Sequence, residues 1–190
     1  MQRGGTRFGP AVFFVNMALK TIYTSICASP CGNLVLGSHE GKLCFCVWEN
    51  TERAAKIIGR VSYLLGAETT NKTDNVATQA IMQLESYFAN ELKDFSIPLL
   101  LIGTPFQKTV WAKLCQIPYG STVSYLQIAQ KMGSPKAVRA VANAVGANTL
   151  NIFIPCHRII GSNGQLTGYG GGLEAKKILL EIESKNRKMK

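Results

Sequence analysis

Three short apolar segments, 22–26, 34–36 and 43–48, are separated by Ser29-Pro30, Gly32-Asn33 and Gly41-Lys42. Proline, glycine and asparagine supply the backbone angles that tight turns need, so the segments predict a small antiparallel sheet. The period then changes. Ala54, Ile57, Ile58, Val61, Leu64 and Leu65 recur at helical spacing over 51–66, and Ile81, Leu84, Phe88 and Leu92 do so over 76–92. Two helices should therefore pack on the sheet, with 69–75 as a polar connector and 96–103 as an apolar strand or linker.

From Thr104 onward the pattern is one of helices joined by turns. Thr104 can cap a helix with Pro105 in its first turn and Phe106, Val110, Trp111 and Leu114 on its core face, stopped by Ile117-Pro118-Tyr119-Gly120. Ser124 caps a second helix carrying Leu126, Ile128 and Ala129, which ends at Met132-Gly133, and Ser134-Pro135 starts a third. Two short helices around a glycine-containing turn form a helix-turn-helix, whose second helix enters a DNA groove, although ordinary helical hairpins share this pattern. A last helix over 173–183 has an apolar stripe at Ile178, Leu179 and Ile182. The expected class is α/β (α+β). It comprises a disordered leader over 1–17, with Met17 as an alternative start, an N-terminal α/β domain over 18–100, and a mostly helical domain with short strands over 101–190.

Composition narrows the function classes. The longest apolar runs, such as 11–15 and 98–102, fall far short of the roughly 20 residues that span a bilayer, so no membrane segment is expected. Six cysteines, Cys27, Cys31, Cys44, Cys46, Cys115 and Cys156, show no disulfide-scaffold spacing, which points to a reducing, intracellular compartment. Cys27, Cys31, Cys44 and Cys46, with His39 between the pairs, match no standard zinc module, and no metal is expected. The net charge of +10 is unevenly placed: residues 1–103 hold nine Lys and Arg against eight Asp and Glu, whereas 104–190 hold twelve against three. The second part is therefore +9, and still +5 without Lys185, Arg187, Lys188 and Lys190. A basic domain of this kind suits a polyanionic partner, most simply nucleic acid.

The candidate chemistry lies in Ile154-Pro155-Cys156-His157-Arg158, which follows the apolar residues Leu150, Ile152, Phe153 and Ile154, read as a short strand ending at the proline. A thiol beside a base and a cation can become a nucleophilic thiolate, and the plain alternative is a buried, inert cysteine. Gly161-Ser162-Asn163-Gly164 reads as a tight turn. Tyr169 within a run of glycines, 168–172, suggests a loop that approaches a ligand closely. The helix begun at Ser134 has a face of small residues, Ala137, Ala140, Val141 and Ala144, with Arg139 beside it, so that its backbone can come close to a duplex.

These residues resemble the O6-alkylguanine-DNA alkyltransferases, the methylated-DNA-protein-cysteine methyltransferase family. The match runs from Gly103-Thr-Pro-Phe-Gln107 and Val110-Trp111 through Pro118-Tyr-Gly120, Ser124-Tyr125 and Pro135-Lys-Ala-Val-Arg-Ala-Val141 to Ile154-Pro-Cys-His-Arg-Ile-Ile160, Thr167-Gly-Tyr169 and Gly171-Gly172-Leu173. Ser29-Pro30-Cys31-Gly32 echoes the family's N-terminal domain, whose fold is ribonuclease H-like. The resemblance implies that Cys156 accepts an alkyl group from guanine O6, and from thymine O4, in one irreversible step without a cofactor. His157 would act as base through a water, oriented by Glu183. Tyr125 would assist the leaving base, and Asn148 would tie the recognition helix to the site.

The same resemblance places Tyr169, Gly170, Ile159 and Arg158 around the substrate. It puts Arg139, Ser134, Ala137, Ala140 and Tyr125 against the minor groove of double-stranded DNA, with Arg139 filling the space of a flipped-out base. A monomer in a prokaryotic cytoplasm or a eukaryotic nucleus is implied. The chain departs from the pattern at Ala142, Asn143, Thr149 and Gly170. The rival readings are a non-catalytic alkylated-base-binding protein, which lacks the cysteine, a helix-turn-helix regulator, and a cysteine hydrolase.

Overall fold

The computed structural model describes residues 20–49 and 51–185, so the leader expected over 1–17 and the basic residues after Lys185 lie outside the described residues. Strands β1 (Lys20–Cys27), β2 (Leu34–His39) and β3 (Lys42–Trp48) form the meander read from the sequence, with β1 and β3 each antiparallel to β2. The sheet is nevertheless mixed. A fourth strand, β4 (Ala67–Asn71), pairs parallel to β1, giving the order β3-β2-β1-β4. The polar connector expected over 69–75 is therefore partly strand. Only Ala67 of β4 is buried, which is why an edge strand of sequence Ala-Glu-Thr-Thr-Asn carries no alternating apolar signal.

Helix α1 (Glu52–Leu65) is capped by Thr51 and stopped by Gly66 in the left-handed conformation, and α2 (Asn75–Phe88) is capped by Asp74 and ends four residues before Leu92. The sheet's two faces feed two apolar clusters. Ile22, Val47, Ala54 and Val61 gather on the α1 side. Leu34, Leu36, Cys46 and Trp48 meet Ala80, Leu84 and Tyr87 of α2, and this cluster continues through Trp111, Ile128, Val141 and Leu150 to Cys156 and Leu179. The two sequence halves thus share one core.

Helices α3 (Pro105–Leu114) and α4 (Tyr125–Lys131) are capped by Thr104 and Ser124 as expected, and each cap is part of a capping box, with Gln107 and Gln127 respectively. The start expected at Ser134-Pro135 differs. Ser134 makes no capping hydrogen bond, residues Pro135–Ala137 form a 3-10 turn, and α5 (Val138–Gly146) begins after it. Strands β5 (Val123–Ser124) and β6 (Ile159–Ile160) pair in parallel, and α6 (Gly172–Lys185) closes the described fold.

The strand expected over Leu150–Ile154 is a tight turn instead, with Ile154 N–H bonded to the Leu150 carbonyl at 2.9 Å. Ile152 sits at φ 73°, a left-handed conformation that a β-branched residue adopts only under strain of roughly 1–3 kcal/mol. Burial of Ile152 and its neighbours holds it there. The outer edge of β3 covers the turn's start: Cys46 N–H bonds the Thr149 carbonyl at 2.8 Å, Asn151 N–H bonds the Cys46 carbonyl at 2.9 Å, and the Thr149 hydroxyl donates to the Cys44 carbonyl at 3.2 Å.

Candidate active site

Cys156 opens a 3-10 turn (Cys156–Arg158) directly after the strained turn and Pro155. That departure from strand geometry lets successive side chains serve one site. Asn148, fully buried, holds the segment together: its Nδ2 donates to the Ile154 carbonyl at 3.1 Å and contacts Cys156 Sγ at 3.1 Å, and its Oδ1 accepts from Leu150 N–H at 2.9 Å. On its other side Sγ lies 3.7 Å from Asn151 Oδ1. Burial raises the pKa of the Cys156 thiol, and the Asn148 hydrogen bond, Arg53 and Lys176 oppose that rise. The resting group is a thiol that must lose its proton to react.

A group able to take a proton is the next residue in the chain. His157 Nε2 lies 2.8 Å from Glu183 Oε1, with both side chains fully buried. Burial would raise the Glu183 pKa, but the hydrogen bond from His157 and the Arg158 guanidinium overcome this and hold it down to about 2. A carboxylate can only accept, so Nε2 carries the hydrogen and Nδ1 carries the lone pair. Nδ1 is buried and has no hydrogen-bond partner among the described residues. Burial also lowers the His157 pKa, which keeps the ring neutral and able to take a proton.

Glu183 is anchored from every direction. Arg158 Nε donates to its Oε2 at 2.9 Å, Gly120 N–H reaches the same oxygen at 3.0 Å, and the Tyr87 hydroxyl donates to Oε1 at 2.8 Å. Gly120 has φ 71°, and a Cβ there would stand 2.9 Å from the Glu183 carbonyl oxygen, so the approach requires glycine. Tyr87, on α2, was not legible as a site residue, because its place on an apolar helix face reads as core.

Cys156 lines a cavity of about 310 Å³ together with Arg53, Tyr125, Asn151, Tyr169 and Gly170, under Ala142, Val145 and Gly146 of α5. The Tyr125 hydroxyl lies 3.1 Å from Thr167 Oγ1. Tyr169 packs edge-to-face on Trp48 at 6.1 Å and on the His157 ring at 6.4 Å. A Cβ at Gly171 would stand 2.4 Å from the Trp48 ring, so this loop can close only with glycine there.

The residues expected around the substrate therefore divide. Tyr169 and Gly170 line the cavity, whereas Arg158 is turned onto Glu183 and the Ile117 carbonyl, and buried Ile159 offers its carbonyl to Lys176 Nζ. Lys176 is buried, donates also to the Thr167 carbonyl at 3.0 Å, and was not read from the sequence either. Arg139 is exposed and lines a neighbouring depression with Lys136 and Val138, which shares Tyr125 and Ala142 with the Cys156 cavity. Ser134 and Ala140 are exposed on the same stretch, and Ala137 is half-buried. Among the described residues no three His, Cys, Asp or Glu side chains group as metal ligands would, and His39 instead contacts the Thr21 carbonyl at 2.8 Å.

Comparison with known proteins gives the family. Residues 22–101 match the ribonuclease-like domain and 105–185 the DNA-binding domain of 6-O-methylguanine DNA methyltransferases. The methylated-DNA-protein-cysteine methyltransferase of Methanosarcina acetivorans is 40% identical over 162 residues, covering 85% of this chain and 98% of that one. The chain belongs to the methylated-DNA-protein-cysteine methyltransferase family. The constitutive methyltransferase of Bacillus subtilis is 42% identical, over 85% of this chain and 94% of its own length. The crystal structure of the Mycobacterium tuberculosis O6-methylguanine methyltransferase superposes with a TM-score of 0.73 at 39% identity, over 86% of this chain and 93% of that one. A structure of the M. tuberculosis enzyme in complex with DNA gives 0.72. Methylated-DNA-protein-cysteine methyltransferases are single-turnover alkyl-transfer enzymes of DNA repair, with DNA as their partner.

Proposed function

We propose that this chain repairs O6-alkylguanine, and O4-alkylthymine, in double-stranded DNA by moving the alkyl group onto Cys156 Sγ, once per protein molecule. The observation that carries the reading is a cysteine at a cavity wall beside a buried His157 whose Nε2 is committed to Glu183 and whose Nδ1 lone pair is unpartnered. His157 Nδ1 takes the thiol proton through a water, and the thiolate attacks the alkyl carbon. The new S–C bond forms as the C–O6 bond breaks. The electron pair leaves on guanine, which receives a proton through the Tyr125 hydroxyl. The product is a neutral thioether with no route back to a thiol, which makes the protein a reagent consumed in use.

O6 is stacked inside a duplex, so the nucleotide must be extruded before Cys156 can reach it. We assign this to a helix-turn-helix made of α4, the Gly133 turn and α5, with α5 and Ala137, Ala140 and Ser134 against the minor groove and Arg139 in the space the base leaves. Support comes from the depression holding Arg139, which adjoins the Cys156 cavity through Tyr125 and Ala142. The protein acts as a monomer in a reducing compartment, consistent with six free cysteines. Titration with duplex DNA carrying O6-methylguanine tests the reading: transfer should stop at one methyl per protein. Repeated turnover would overturn it.

A further inference from the structure

Two side-chain amides flank the Cys156 sulfur and meet it with opposite ends. Asn148 presents Nδ2, a donor, at 3.1 Å, which suits a sulfur lone pair. Asn151 presents Oδ1 at 3.7 Å, and an amide oxygen can only accept, so the Cys156 S–H is the donor there. The orientation of the buried Asn151 amide is forced. Its Nδ2 and its backbone N–H both donate to the Cys46 carbonyl at 2.9 Å, which leaves Oδ1 as the end turned to the sulfur. His157 Nδ1, the base for this proton, has no hydrogen-bond partner among the described residues, so in the resting site the proton sits with Asn151 and not with His157.

A protein that reacts once is lost to any alkylating agent that reaches its sulfur first, and the thiolate, not the thiol, is the nucleophile. We propose that Asn151 is a positioning residue that holds the resting Cys156 as a thiol and so restrains its reaction with small alkylating agents met outside a repair complex. This rests on the reading that Cys156 is the alkyl acceptor. Loss of the proton turns the Asn151 contact from favourable to unfavourable, because a thiolate has no hydrogen to give Oδ1 and its charge faces the negative end of the amide dipole. Asn148 works the other way, since its N–H bonds a thiolate more strongly than a thiol. Besides His157, the titratable groups around the sulfur are Arg53 of α1, Cys46 of β3, Tyr125 of α4, Lys176 of α6 and Tyr169. Arg53 and Lys176 draw the sulfur towards the thiolate, and the Asn151 contact opposes them.

The test follows the rate at which iodoacetamide alkylates Cys156 as pH rises, read by peptide mapping so that the remaining free cysteines do not contribute. In that reaction the thiolate bonds the CH2 carbon, the C–I bond breaks, iodide leaves and the thiol proton passes to the buffer. Asn151→Ala removes the acceptor and should move the midpoint of the pH profile down, with reaction at neutral pH about fivefold or more faster, the scale of one hydrogen bond. Asn151→Asp sets a carboxylate beside the sulfur and should move the midpoint up, with slower reaction at neutral pH. Both variants lose the side-chain bond to the Cys46 carbonyl, so a purely structural role would shift both profiles the same way. Each variant has its own direction and stands alone if the other does not fold. A midpoint that stays in place, or moves against the stated direction, in either variant would overturn the restraint. Failure of the unmodified protein to take methyl from O6-methylguanine DNA would instead sink the assignment of Cys156 and would leave these profiles readable.

Discussion

Glu183 Oε1 accepts hydrogen bonds from Tyr87, His157 and Arg158, and Oε2 from Arg158 and Gly120. Replacing this carboxylate by an amide puts a donor where donors already converge and leaves the Arg158 charge buried without a counter-charge. Glu183→Gln should therefore cost about 3–5 kcal/mol, read as a lower urea midpoint, and an unchanged midpoint would contradict the network. The same residues set the response to acid. The folded-state pKa of His157 is lowered, so below about its ordinary 6.5 the unfolded chain binds a proton that the folded one refuses, and stability starts to fall. Glu183, held at about 2, adds stability that is complete above its ordinary 4.5 and is lost as pH drops from there toward 2. Melting temperature measured downward from neutral pH should fall in two stages, and Glu183→Gln should remove the lower one. At this scale the sequence was partly legible. Cys156, His157 and Arg158 are adjacent and announce themselves, and Glu183 came through resemblance. Tyr87 is 96 residues from Glu183 and looks like any core aromatic, so no local pattern could have joined them.

At the scale of elements, the hydroxyl caps at Thr104 and Ser124 were readable, while Thr51 and Asp74 went unread. Thr104 and Ser124 accept from the N–H groups of Gln107 and Gln127, whereas Ser134, followed by proline as Thr104 is, caps nothing because the chain enters α5 through a 3-10 turn. Thr104→Ala and Ser124→Ala should each cost about 1 kcal/mol of stability. Ser134→Ala should cost less than about 0.5 kcal/mol. Equal losses at all three would contradict this difference. The two elements misread share a cause: tertiary pairing overrides local pattern. Polar β4 is strand because β1 offers it a parallel edge, and the apolar run before Cys156 is a turn because β3 occupies the backbone groups of Thr149 and Asn151. A strand continued through Cys156 would have pointed it and His157 to opposite faces, so the 3-10 turn over Cys156–Arg158 is what allows both to serve one site.

Across the whole molecule, the charge split read from the sequence places the basic residues with the helices that hold Arg139, while the first half supplies packing and the contacts of Tyr87, Arg53 and Cys46 to the site. The first half is thus part of the machinery rather than an appendage, which composition alone could not reveal. If Arg139 fills the space of an extruded base, Arg139→Ala should slow repair in duplex DNA by about tenfold or more, because extrusion itself costs a few kcal/mol. It should leave reaction with the free O6-alkylated base nearly unchanged, and equal losses on both would remove the residue from that role. The central claim is that Cys156 is a single-use alkyl acceptor. Intact-mass analysis with peptide mapping, after challenge with O6-methylguanine DNA, tests it most directly. One added methyl per chain is expected, located on Cys156, and none in Cys156→Ala; an unmodified Cys156, or methyl found on another residue, would contradict that role.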